Sequence, residues 1–252
     1  MTKKTKLLLL GCTHGNEKVG MRIFENYQNG ENQNYVWSSQ IGNPLAFEQN
    51  VRYVEQDLNR SFPGKIEGKY EEKRAFELVK LFEKQDVVID FHQTFADMES
   101  CIITSNLNKS ITELMYYFDI KNVVLLSNSF DNGKNTVADW CNGFGIEYPR
   151  TKSAQSDYEI AQKDIENLLN KTQTYPDKTV YEMQTRVDKL TKVKLNLGWK
   201  NWKLVSQADI ETLGLDKNLE YYPIFIGEVA YGDTYAVLVS RKGGLNGVLG
   251  VR

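Results

Sequence analysis

Apolar residues in this chain follow two rhythms. The first is the short unbroken run: LLLL within residues 6–13, VVI within 86–92, CII within 100–105, VVLL within 122–127 and the stretch GFGIEYP at 143–149. Such runs, closed by Gly, Ser, His or Pro, are read as strands buried on both faces, where polar alternation disappears. The second is helical spacing. Residues 15–29 put Val19, Ile23 and Phe24 on one face, and residues 71–85 put Phe76, Val79 and Phe82 at helical spacing. Residues 109–119 and 156–172 read as helices too. The stretch 34–44 is a further strand closed by Asn-Pro, and 44–64 is loop-like after a short helical start.

Strands and helices alternate up to about Thr172, which predicts an α/β fold with a mixed, mostly parallel sheet flanked by helices. After TQTYPDK (172–178) the rhythm changes. Residues 179–195, 221–228 and 234–242 are apolar or alternating at strand length. A boundary is expected near 170–178, dividing the chain into residues 1–172 and a smaller β-rich unit, residues 173–252. No internal repeat or low-complexity segment interrupts either part.

Composition narrows the class. A chain of 252 residues, 41% hydrophobic and 12% aromatic, is long enough to bury a sizeable core. Its net charge of −2, with both signs mixed, points to neither a nucleic acid nor a membrane as partner. Three cysteines, Cys12, Cys101 and Cys141, form no C-x-x-C pair; this predicts reduced thiols and a cytoplasmic location. The N-terminal lysines and LLLL look like the start of a signal peptide, but four apolar residues fall short of the roughly 7–15 that a signal core needs.

The chemistry begins with scarcity. The chain has two histidines, and both stand at the ends of apolar runs: His14, three residues before Glu17, and His92. Strand ends are where open α/β sheets build their sites. Two histidines and one glutamate are the ligands of one kind of catalytic zinc site, which keeps a position for water. A lone strand-end histidine is more often structural, and H-x-x-E arises readily by chance. It is the pairing of the two histidines that favours a shared ion. Cys12 is a rival ligand, although a thiolate is unusual in such a set. Asp90 points the same way along its strand as His92 and could orient it. The loop NVRYVEQDLNRSFPG gathers Arg52, Asp57, Asn59 and Arg60. An arginine fork there suits a carboxylate; a solvated Asp57–Arg60 ion pair is the plainer alternative. Glu147, a carboxylate set among apolar residues, should be desolvated and its pKa raised, as suits a general base. Glu228 is a rival for that role.

HGNE (14–17), DLNRSFPG (57–64) and DFHQT (90–94), followed by YYPIFIGEVAYGDTY (221–235), together resemble the aspartoacylase and succinylglutamate desuccinylase family of zinc hydrolases, relatives of the zinc carboxypeptidases. The resemblance covers roughly residues 7–150 and 220–240. It implies one zinc ion per chain held by His14, Glu17 and His92, and Arg52 polarising the scissile carbonyl. It also implies that Asn59 and Arg60 hold the substrate carboxylate, that Tyr231 reaches in from the C-terminal part covering the site, and that Glu147 is the base. The implied reaction is hydrolysis of an N-acyl amino acid, a small-molecule substrate, by a chain that could form a homo-oligomer. There are departures. Tyr148 and Pro149 follow Glu147 where the family commonly has glycine. Gln93 follows His92 where aspartoacylases have asparagine. No further arginine matches the one for a second substrate carboxylate, Arg150 lying on the other side of the base. A zinc carboxypeptidase with a longer open groove, and a non-catalytic metal or small-molecule binder, are the alternatives.

Overall fold

The computed structural model describes residues 3–127, 135–150, 154–174 and 177–249. Strand β1 (Thr5–Gly11) shows why its leucine run has no alternation: Leu7 and Leu9 join the core on one face of the sheet, Leu8 and Leu10 the core on the other. Each such side chain stabilises the fold by roughly 1.5–3 kcal/mol on burial. Helix α1 (Val19–Asn26) buries Val19, Ile23 and Phe24, the face its spacing predicts. Edge strand β2 (Asn29–Glu31) pairs antiparallel with β3 (Tyr35–Ile41), which runs parallel to β1. The short helical start after Asn43 is α2 (Pro44–Gln49), capped by the Asn43 side chain accepting from the Ala46 N–H.

Helix α3 (Tyr70–Phe82) buries a different stripe from the one its apolar spacing marks. Glu71, Ala75, Leu78 and Phe82 face the core, while Phe76 and Val79 are half-buried beside it. Phe76 carries the Lys80 ammonium 4.1 Å from its ring centre, at the surface. Strand β4 (Val87–Thr94) is buried along its whole length. It is followed by β5 (Cys101–Thr104), α4 (Lys109–Met115), β6 (Asn122–Leu125), α5 (Val137–Trp140), β7 (Gly143–Pro149) and α6 (Ala154–Asn170). Then come β8 (Thr179–Asp188), α7 (Lys189–Leu195), α8 (Gln207–Thr212), β9 (Tyr221–Ile224), β10 (Thr234–Gly244) and α9 (Leu245–Val248).

Among the described residues the strands form one ten-stranded sheet in the order β2-β3-β1-β4-β7-β5-β6-β8-β10-β9. Strands β3, β1, β4 and β7 run parallel. Polarity reverses between β7 and β5; β5, β6 and β8 are parallel to one another, and β10 and β9 return antiparallel. One face is covered by α1, α4, α6 and α9 around a core that includes Phe91, Phe118, Phe144 and Tyr148. On the other face α3 packs over β1 and β4, while Met183, Phe225, Val237 and their neighbours cover β5 and the strands beyond it.

The strands after Thr172 extend this sheet and do not begin another, because β8 pairs with β6 and so leaves β6 no open edge. In the boundary stretch 172–178, Tyr175 and Pro176 lie outside the described residues. Residues 189–195, expected to continue a strand, are helix α7 instead. The reason is Asp188: its carboxylate accepts from the Thr191 N–H (2.6 Å) and hydroxyl (2.9 Å), capping a helix where the strand stops. Helices α5 and α8 are likewise not marked by the apolar pattern.

Candidate active site

The carboxyl ends of β1 and β4 lie side by side and deliver the two histidines to one place. His14 leaves β1 through Cys12, which holds a left-handed backbone (φ 54°). Its ring lies 5.1 Å from that of His92, centre to centre. Glu17 sits between them. His14 Nδ1 is 2.7 Å from one Glu17 carboxylate oxygen and His92 Nδ1 is 3.0 Å from the other. The ligand atoms of the three residues all lie within 4.8 Å of one another, and all three side chains are buried. The turn between His14 and Glu17 requires glycine. A Cβ on Gly15 would lie 2.1 Å from the Ala46 carbonyl carbon.

The donor set fits a divalent cation of the zinc type. Each imidazole turns Nδ1 inward and gives its other nitrogen to a carboxylate: Asp57 at 3.1 Å for His14, Asp90 at 2.7 Å for His92. A carboxylate on Nε2 fixes the tautomer that leaves Nδ1 to a metal. Asp90 is held in turn by the Thr13 hydroxyl at 2.9 Å. Asp90 thus takes the orienting position its strand register predicts. Asp57 takes one that the sequence did not reveal, bonding His14 and Arg52 where an ion pair with Arg60 was the plain expectation. Cys12 is buried, with burial pushing its thiol up to about 12, and it lies outside the His14–Glu17–His92 group.

The loop before DLNR is gripped from below by Glu71, the buried acid of α3. Its carboxylate accepts from the Val54, Glu55 and Gln56 N–H groups and from the Asn43 side chain, at 2.7–3.2 Å. This fixes the loop that presents Arg52. The Arg52 guanidinium donates to Asp57 (3.1 and 3.3 Å) and to Glu17 (3.2 Å). Asn59 and Arg60 follow on a single 3-10 turn capped by Asp57. The Asn59 side-chain oxygen accepts from the Val137 N–H at 2.9 Å and so holds the start of α5.

Glu147 lies on β7 in register beside His92 on β4. It lines two adjoining cavities that also share Asn59, Arg60 and Tyr231. The smaller is polar and bounded by His14, Glu17, Arg52 and Glu228. Tyr231 stands on a 3-10 turn, edge-on to Phe225 at 5.3 Å. That turn is tied to the end of β4 by Glu228, whose carboxylate accepts from the Thr94 hydroxyl (2.6 Å), the Phe95 N–H (2.8 Å) and the Ala230 N–H (2.9 Å). Glu228, the rival base, is thereby committed to three hydrogen bonds. Gln93, a departure from the aspartoacylase pattern, joins elements: it accepts from the Val19 N–H and donates to Asp157 of α6. Arg150 packs on the Phe95 ring at 3.9 Å and donates to the Asn16 carbonyl, supporting the HGNE turn from outside.

Charge is distributed unevenly. Burial opposes the charged form of both histidines, but Glu17 and Asp57 outweigh it for His14, and Asp90 and Glu17 for His92; both pKa values stand above the ordinary value. Burial likewise opposes the charged form of Glu17 and of the half-buried Asp57, yet the neighbouring imidazoles hold both well below the usual carboxylate range. Glu147 goes the other way: burial, with Glu17 adding to it against the opposing pull of His92, pushes it up to about 7. The carboxylates of the cluster are thus driven apart, Glu147 upward and Glu17 and Asp57 downward. The Tyr231 hydroxyl is raised by burial and by Glu147, so it stays protonated and can donate.

Residues 3–169 match the family model described as the succinylglutamate desuccinylase/aspartoacylase catalytic domain. Two relatives named "Probable aspartoacylase", from Prochlorococcus marinus and Nostoc sp., are 25% and 26% identical; the matches cover 94% and 96% of this chain and 92% and 98% of theirs. In fold, the chain is similar to murine aminoacylase 3 (TM-score 0.71, 18% identity, 96% of this chain and 97% of that one). It is similar also to the succinylglutamate desuccinylase of Chromobacterium violaceum (TM-score 0.70, 19% identity, 95% of this chain and 85% of that one). With two thirds of its length matched by the family model, this chain belongs to the succinylglutamate desuccinylase/aspartoacylase family.

Proposed function

We propose that the protein is a zinc-dependent amidohydrolase that cleaves an N-acyl amino acid into a carboxylate and a free amino acid. The observation that carries this reading is Glu147: a proton-accepting carboxylate in register with His92, on the cavity next to a buried His-Glu-His set. His14, Glu17 and His92 would hold the ion. When bound, zinc supplies Lewis acidity and brings the pKa of a water down to about 7.

Glu147 takes the proton of the attacking water and later hands it to the leaving amine. Arg52, fixed by Asp57 and Glu17, places its guanidinium where negative charge develops on the carbonyl oxygen, a preorganised term often large in such reactions. Asn59, Arg60 and Tyr231 hold the substrate carboxylate, so binding at a remote group positions the amide. Residues 173–252 act as the covering unit by supplying Tyr231 and its anchor Glu228.

The test is hydrolysis of a panel with and without chelator: N-acetylaspartate, N-succinylglutamate, other N-acyl amino acids and a short peptide. Chelator-sensitive cleavage of an N-acyl amino acid, restored by zinc, is expected. Glu147→Gln should lower kcat by about 10²–10⁴-fold while leaving zinc bound. Cleavage of the peptide alone would replace this reading with a carboxypeptidase. Unchanged behaviour in Glu147→Gln, with no turnover by the native protein, would replace it with a binding protein.

A further inference from the structure

The larger cavity begins at Asn59, Arg60, His92 and Glu147 and runs away from the metal ligands across β7 toward β5, β8 and β10. The space between its atoms, with the solvent at its open mouth counted in, is about 810 Å³. Its walls, among the described residues, include the apolar Ile103, Leu126, Val137, Met183 and Val237 and the polar Ser127, Asn135 and Thr136. Its floor includes Gly145.

Gly145 is not there for the backbone. Two residues earlier on the same strand, a Cβ on Gly143 would lie 2.0 Å from the Val88 carbonyl oxygen, so glycine is required. A Cβ on Gly145 would find nothing closer than 3.7 Å, an ordinary contact. The missing side chain serves space over the sheet, between Asp90 and Ile103 on the neighbouring strands.

From this we infer that the amino-acid half of the substrate carries a bulky apolar side chain, which lies on Gly145 between Ile103, Leu126 and Met183. The inference rests on the deacylase reading above. There the substrate carboxylate is at Arg60 and the amide nitrogen at Glu147. The side chain shares its α-carbon with both, so it enters the cavity that adjoins both and extends beyond them. The smaller polar cavity at His14, Glu17 and Arg52 is left to the acyl group. Of the acidic and basic groups on the larger cavity, Asp139 spends its carboxylate on the Ser105 hydroxyl (2.5 Å) and on the Thr136 hydroxyl and N–H. Arg186 is exposed, its guanidinium 5.6 Å from the Tyr231 ring centre. Gly145 is thus a specificity-determining position. Against an apolar wall such as Ile103, Leu126 and Met183 form, the fit of a single methylene discriminates by roughly 10–200-fold.

The experiment uses the zinc-loaded full chain. Values of kcat/KM are measured for the N-acetyl derivatives of phenylalanine, methionine, alanine and aspartate, in the native protein, in Gly145→Val and in Ile103→Phe. Binding of free L-phenylalanine, L-methionine and L-aspartate to the native protein is followed by calorimetry. The native protein is expected to favour N-acetylphenylalanine or N-acetylmethionine over N-acetylaspartate by at least tenfold, and the free amino acids to rank the same way. Each variant should lower the phenylalanine-to-alanine ratio at least tenfold, whereas general damage to the fold would lower both rates alike. A preference for aspartate in both assays, or a ratio unchanged in both variants, overturns the inference. If no N-acyl amino acid is cleaved, the deacylase reading falls. The calorimetric ranking then still decides the character of the pocket.

Discussion

Glu147 and Asp57 hold the residue-scale chemistry, and in opposite ways. Glu147 is pushed up to about 7 mainly by burial, so its reactive, ionised form is lost as pH falls through that value. A bound cation favours the ionised carboxylate and draws the midpoint lower. The expected pH–rate profile therefore has an acid limb at or below about pH 7, along which kcat/KM drops about tenfold per unit. A profile flat from pH 5 to 8 would remove Glu147 as the base. Asp57 faces His14 Nε2 at 3.1 Å, which leaves Nδ1 turned toward Glu17 and the proposed ion. Asp57→Asn should weaken zinc binding by about 10–100-fold, read by competition with a chromophoric chelator. Asp90→Asn is the matched control on His92. The raised pKa of Glu147 was legible from the sequence, because an acid set among apolar residues is desolvated. Asp57 was not, since its partner His14 is 43 positions away along the chain.

Helix α3 and the loop at residues 51–57 show what an element adds. The apolar residues of α3 announce a helix, but one of its most consequential side chains is the acid Glu71, turned into the core. It gathers three backbone N–H groups and the Asn43 amide, and so holds the loop on which Arg52 and Asp57 stand. Buried donors left without an acceptor each cost about 1–3 kcal/mol. Glu71→Ala should therefore lower stability by about 3 kcal/mol in urea unfolding and weaken zinc binding as well, because the loop carrying Asp57 loses its anchor. Normal zinc affinity in a destabilised variant would show that the loop holds its shape without Glu71. The same reasoning explains why the buried stripe of α3 keeps Phe82 but not Phe76 or Val79. Spacing alone shows which residues could share a face, whereas Glu71 belongs to the buried one because the loop supplies it with partners.

Across the whole molecule, the join between the alternating part and the C-terminal strands runs through Lys178. This lysine is 1% exposed and donates to the Phe118 and Ile120 carbonyls, just before β8 pairs with β6. Burial lowers its pKa to about 8, with Asp164 opposing. The unfolded chain thus holds the Lys178 proton more tightly than the folded one, and stability should rise with pH between about 8 and 10.5, by up to about 1.4 kcal/mol per unit. Lys178→Met should remove that rise and lower stability at pH 7.5 by about 2 kcal/mol, because two carbonyls lose their donor. Denaturant unfolding at several pH values measures both. The α/β rhythm, the strand-end placement of His14 and His92 and, through short ordered motifs, the family can all be read along the chain, because hydrophobic period and local turns are encoded by neighbours. That β8 continues the sheet, that Asp57 and Glu71 reach the site, and that the floor beside Glu147 is open at Gly145 emerge only on folding. Those outcomes depend on groups tens of residues apart meeting across the sheet, where register, burial and the room left by a missing side chain first come into being.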